Sequence, residues 1–89
     1  MPTVEFARSL TRHQPCPVQR VAASTLRAAL DAAFRVAPEL RGYVLDDQGA
    51  VRKHVAVFVN ARMIGSRSDL DISLQSDDKI MVIQALTGG

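Results

Sequence analysis

The residues of this 89-residue chain best placed to do chemistry are its last two, Gly88 and Gly89, which close the run "IMVIQALTGG". A glycine pair carries no side chain past Cα, so it can thread a narrow slot in whatever dihedrals the slot demands. The group that stands at such an end is the main-chain carboxylate of Gly89, preceded by the short arm Leu86, Thr87 and Gly88. Taken by themselves, two terminal glycines also fit a frayed end, because termini are commonly poorly ordered. Elsewhere no residues gather into a catalytic set. His13 and His54 stand far apart, Cys16 lies in a Pro-Cys-Pro loop and reads as an incidental thiol, and Asp77-Asp78 reads as a turn. There is no Gly-rich phosphate loop, nucleophile elbow or Cys-x-x-Cys pair. No catalytic side chain, metal site or bound cofactor is expected.

The composition narrows the classes further. At 47% hydrophobic and 22% charged residues the chain is an ordinary folded domain, and its length suits one core. A single cysteine excludes a disulfide framework and a multi-cysteine zinc or iron–sulfur site. The net charge of +2 comes from nine Arg and two Lys scattered from Arg8 to Lys79. The four aromatics, Phe6, Phe34, Tyr43 and Phe58, do not cluster with them as an RNA-stacking surface requires. Nucleic acid is therefore not an expected partner. Nor is a membrane, since no apolar run approaches 18 residues. The start "MPTVEFARSL" lacks a signal peptide's pattern, so the expected location is the cytoplasm.

Several elements must position the arm. "TVEFARSL" alternates like a half-buried strand, "TRHQPCP" is a loop, and "VQRVAA" is a short strand expected to pair with the first. The helix is the clearest element. Thr25 or Ser24 caps it, and Leu26, Ala29, Leu30, Ala33, Phe34 and Ala37 repeat on one face. Arg27, Asp31 and Arg35 lie four apart on another face, as a weakly supporting charge ladder. Pro38 is expected to end the helix. A short apolar piece and a turn at Asp46-Asp47-Gln48-Gly49 follow. "HVAVFVN" is the strongest strand; "ARMIGSRSDLDISLQSDD" is irregular, with Leu70, Ile72 and Leu74 as plugs into the core; "KIMVIQAL" is the last strand. With Ile80 and Val82 turned to the helix, Met81 and Ile83 share the outer sheet face with Phe58 and Ala56. Leu86 extends that patch toward the tail. Exposed apolar surface of this kind marks a protein partner, so Phe58, Met81, Ile83 and Leu86 form the candidate docking surface.

The order strand, strand, helix, strand, connection, strand and Gly-Gly resembles the ubiquitin-like β-grasp fold of the bacterial sulfur-carrier proteins. These include the small subunit of molybdopterin synthase and the thiamin- and cysteine-pathway carriers. The resemblance rests on "STLRAAL", "APELR", "LDDQGAVRKHVAVFVN" and above all "SDDKIMVIQALTGG". It departs from the family at "TRHQPCP", where a Gly-rich turn is common, and at Ala61 after Asn60. It implies an α+β domain over residues 1–85, with a mixed sheet of four to five strands on one main helix, and a flexible tail over 86–89. It also implies that the chain is a carrier and not an enzyme. An adenylating partner uses ATP to activate the Gly89 carboxylate, a persulfide-bearing protein donates sulfur to form a thiocarboxylate, and a sulfur-accepting enzyme receives it. Cysteine, molybdopterin, thiamin or another thio-metabolite could be the product. Two alternatives stand beside this: a ubiquitin-like modifier joined through Gly89 to lysines, and a β-grasp interaction module with an inert tail.

Overall fold

The computed structural model describes residues 1–84. Five strands, β1 (Thr3–Phe6), β2 (Gln19–Arg20), β3 (Val55–Val59), β4 (Arg62–Met63) and β5 (Lys79–Gln84), form one sheet in the order β2-β1-β5-β3-β4. The pair β1 and β5 is parallel, and the other neighbours are antiparallel. Three helices accompany the sheet: α1 (Arg8–Thr11), α2 (Leu26–Val36) and α3 (Pro38–Val44). Val4, Phe6, Val55, Val57, Ile80 and Val82 meet the buried stripe of α2 in a single core, which Leu70 closes. Burial of that stripe is the main force holding helix to sheet, at about 25 cal/mol per Å² of apolar area.

The start of α2 shows how the irregular 70–74 segment is held. The first N–H groups of a helix have no partner within it. Here Leu26 N–H donates to Ile72 O and Arg27 N–H to Leu70 O, each at 2.9 Å. Ala28 N–H donates to the Thr25 hydroxyl at 3.2 Å, so Thr25 is the cap expected. The 70–74 segment thus lies across the helix start and drops Leu70 into the core, with Ile72 and Leu74 half-buried beside it.

Four details differ from the sequence reading. The first strand ends at Phe6, and Arg8–Thr11 coils into the one-turn α1. Pro38 ends α2 but also opens α3, whose first position needs no N–H donor. The Gln14 side chain then accepts the next one, Glu39 N–H, at 2.7 Å. The charge ladder along α2 does not form. Asp31 accepts from Arg41 on α3 at 3.1 Å, and Arg27 Nε approaches Asp71 at 3.9 Å. Finally, the stretch after Asn60 is not wholly irregular. Asn60 (φ 53) and Ala61 (φ 68) make a two-residue turn that folds Arg62–Met63 back as β4. Two positive φ values are the signature of the hairpin turn whose twist matches the strands.

Candidate functional site

Gly89, with its arm Leu86, Thr87 and Gly88, lies outside the described residues, as does the expected boundary between residues 85 and 86. What the structure describes is the base of that arm and the surface around it. The base is β5, the middle strand of the sheet. It pairs with β1 from Thr3↔Lys79 to Phe6↔Val82 and with β3 from Val59↔Ile80 to Val55↔Gln84. Ile80 and Val82 are buried against the helices, and Met81 and Ile83 turn outward. The strand phase is therefore the one expected from the sequence.

Directly paired residues share a sheet face, so the register defines the outer surface row by row. Met63, Phe58, Met81 and Glu5 are joined across β4, β3, β5 and β1 in one row, and Ala56 and Ile83 are paired in the next. Phe58, Met81 and Ile83 are each half-buried among their neighbours, and Met63 is 60% exposed. Sequence reasoning brought Phe58, Met81 and Ile83 together but missed Met63. Its strand is only two residues long, and the turn that creates it carries Ala61 where glycine is the usual signal. A methionine beside an aromatic ring gives a soft, adaptable apolar surface suited to a protein partner.

The turn beneath this face is clasped to the start of β5. The Asn60 amide donates to Asp78 Oδ1 at 2.7 Å, and its oxygen accepts from Lys79 N–H at 2.9 Å. The second Asp78 oxygen accepts from Gln75 N–H at 2.8 Å. Asp78 is thus more than a turn former, since it ties the β3–β4 hairpin to the strand that leads into the arm.

The remaining candidates separate. His13 stacks on Tyr43 with ring centroids 3.9 Å apart, while His54 lines a depression before β3. Cys16 is buried, and burial pushes its thiol above the usual range, which suppresses the reactive thiolate. Asp46 accepts from Gln48 and Ala50 N–H at 2.9 and 3.0 Å. Those donors, Ala50 foremost, hold its carboxyl below the ordinary carboxylate range. Among the described residues no three His, Cys, Asp or Glu side chains gather as a metal site. No helix among them is long and apolar enough to cross a membrane.

The model of the ThiS family matches residues 17–89. Among solved structures, SAMP1 from Haloferax volcanii superposes with a TM-score of 0.82 at 22% identity, over 99% of this chain and 98% of that one. A chain of the Amycolatopsis orientalis BexX/CysO complex gives 0.81 at 16% identity, over 100% of both chains. CysO from Mycobacterium tuberculosis gives 0.80 at 17% identity, over 97% of this chain and 100% of that one. At such identities the likeness establishes the fold, which is the ubiquitin-like β-grasp. No curated protein sequence matches the chain.

Proposed function

The chain belongs to the ThiS family, and from that membership we propose that it is a sulfur-carrier protein working through the carboxylate of Gly89. A carboxylate is a poor electrophile. In a partner enzyme, its oxygen attacks the α-phosphorus of ATP, pyrophosphate leaves, and a mixed anhydride with AMP forms. The terminal sulfur of a persulfide on a donor protein then attacks the carbonyl carbon and expels AMP. A thiol cleaves the resulting acyl disulfide, so the donor side ends as a disulfide and Gly89 as a thiocarboxylate. A third protein accepts that sulfur in biosynthesis. ATP is consumed by the partner, and the chain itself is substrate and carrier. The cytoplasm, where thiols and ATP are available, suits this cycle.

The observation that carries the reading is the family match, which runs from Pro17 through Gly89 and so takes in the diglycine. The outer apolar patch of Met63, Phe58, Met81 and Ile83 supports it as a handle for partners, with Leu86 proposed to extend the patch toward the arm. A second reading, a protein modifier joined through Gly89 to lysines, draws on the printed name of one matched structure, the small archaeal modifier protein 1 of H. volcanii.

The test is intact-mass analysis of the protein from its native cells, beside a variant lacking Gly89. Exchange of one oxygen for sulfur adds nearly the mass of an oxidation at Met1, Met63 or Met81, so a thiocarboxylate-selective sulfonyl azide must accompany it. Labelling that maps to Gly89 and vanishes in the variant is expected. An unlabelled terminus, even after incubation with ATP, a sulfur donor and the cell's activating enzymes, would sink the carrier reading. For the modifier, the last tryptic site before the terminus is Lys79. Conjugates would therefore carry the remnant "IMVIQALTGG" on the acceptor lysine.

A further inference from the structure

One depression carries a net positive charge as large as that of the whole chain. Arg52, Lys53 and Arg67 line an open depression of about 680 Å³, together with His54, Ser66 and Ser68. Asp46 is the one carboxylate in that lining. With His54 neutral the lining carries +2, the formal charge of the whole chain, so the charges elsewhere cancel. Arg52 is steadied by donation from its Nε to Gly42 O at 2.8 Å, and its exposed guanidinium still faces solvent.

The position of the depression matters more than its charge. Arg52, Lys53 and His54 immediately precede Val55, and Val55 pairs with Gln84, the last described residue of β5. The cations therefore stand at the end of the sheet from which the chain continues toward Gly89. A second hollow of about 360 Å³ shares Lys53 and Arg67 with the first and reaches Ala56 and Met63. Through Lys53, Arg67, Ala56 and Met63 the basic depression runs on toward the outer apolar patch.

The chemistry of the lining selects among anions. A small oxyanion is commonly held by converging main-chain N–H groups. Here much of the main chain around the lining is already committed: Ala50 N–H donates to Asp46, Val51 N–H to Arg67 O, Arg52 N–H to Val44 O and Ser68 N–H to the Ser66 hydroxyl. The cations of the lining, Arg52, Lys53 and Arg67, are long, exposed side chains spread around a wide mouth, which suits a broad acidic surface better than a small ion. Nor does the depression suit the ATP of the activation step. Residues 85–89, when extended, span up to about 17 Å, and the α-phosphate must meet the far end. The geometry points to an acidic protein surface as the occupant: an Asp/Glu-bearing rim of the channel that takes up the arm on the activating partner. This inference rests on the carrier reading, and it assigns Arg52, Lys53 and Arg67 the task of steering that partner onto the arm.

The test uses the full chain and the adenylating enzyme of the ubiquitin-activating class from the same cells. Association is followed by stopped flow, and activation by ATP–pyrophosphate exchange. Lys53→Glu/Arg67→Glu should slow association about 10-fold or more at low ionic strength, with kcat unchanged. The deficit should shrink as salt approaches 0.5 M, roughly, where screening removes long-range attraction. Arg12→Glu/Arg35→Glu makes the same change of net charge on other exposed positions and should cost far less. Equal losses in both double variants would show that only net charge matters and overturn the assignment, as would wild-type rates in Lys53→Glu/Arg67→Glu. A wild-type chain that supports no exchange at all would instead defeat the carrier reading, an outcome separable from both.

Discussion

Ala61 occupies a backbone conformation that an alanine should resist, and replacing it with glycine should stabilise the protein. Its φ is 68°, in the left-handed region, and its methyl group is exposed, so deleting it loses no buried surface. An L-residue held there costs about 1–2 kcal/mol relative to the right-handed region. Glycine removes that cost but gives back about 0.5–1 kcal/mol through the freedom it adds to the unfolded chain. The midpoints of those two ranges leave Ala61→Gly more stable by about 0.7 kcal/mol. For a domain of this size that is a rise in Tm of roughly 3–6 °C. Ala61→Val adds a β-branched side chain to the same φ and should fall below wild type. Thermal unfolding followed by circular dichroism, with urea midpoints alongside, gives the order Gly, Ala, Val. A glycine variant equal to or less stable than wild type would refute the assignment of strain to this turn.

Two further outcomes follow from the side-chain contacts. Asn60→Ala removes both the 2.7 Å bond to Asp78 and the 2.9 Å bond from Lys79 N–H, and should cost about 1–2 kcal/mol. Combined with Asp78→Ala, the urea-measured loss should be clearly less than the sum of the singles, whereas strict additivity would dissolve the clasp into unrelated contacts. Asp46 supplies a pH dependence. Its carboxyl is depressed in the fold by Ala50 and Gln48 N–H, so its contribution is present above its ordinary value of 3.8 and is lost as pH falls through the folded value. Asp46→Asn keeps an acceptor oxygen but cannot titrate there. The wild type should therefore lose stability more steeply than the variant from about pH 4 downward, and parallel acid unfolding curves would count against it.

Much of this architecture was legible because its signals are local and periodic. Six apolar residues at helical spacing, a threonine cap and a closing proline made α2 readable, and strict alternation in "HVAVFVN" and "KIMVIQ" made β3 and β5 readable, down to which face is buried. What escaped lacked a period. The seven residues of α3 bury only Leu40 and Val44, and Pro38, read as a terminator, is equally the first residue of the next helix. The two residues of β4 cannot alternate, and Ala61 hid their turn. The basic depression is assembled from residues 46–54 and 66–68, so no spacing within one segment could announce it. The charge ladder on α2 failed for the converse reason. Local spacing proposed partners, but Arg41 and Asp71 offered better-placed ones from elsewhere in the fold.

The placement of β5 bears on why such a domain would carry chemistry on a terminal arm. A partner that grips the arm pulls on Gln84 and, through it, on whichever strand Gln84 ends. An edge strand, tied on one side, could be peeled away one residue pair at a time. β5 instead pairs on both sides, with β1 and β3, and buries Ile80 and Val82 beneath α2. Freeing it would break both ladders and open the core, so the cost approaches that of unfolding the domain. On the proposed carrier reading, binding energy gained at the terminus would thus be available to position it in the partner instead of loosening the domain. The Asn60–Asp78–Lys79 clasp fixes the opposite end of the same strand. A variant weakened at that clasp should keep its outer apolar row and its charge yet lose protection of the β5 amides first. Hydrogen exchange of Asn60→Ala reads this directly: faster exchange spread evenly over the sheet, with no preference for β5, would show that the clasp does not anchor the strand.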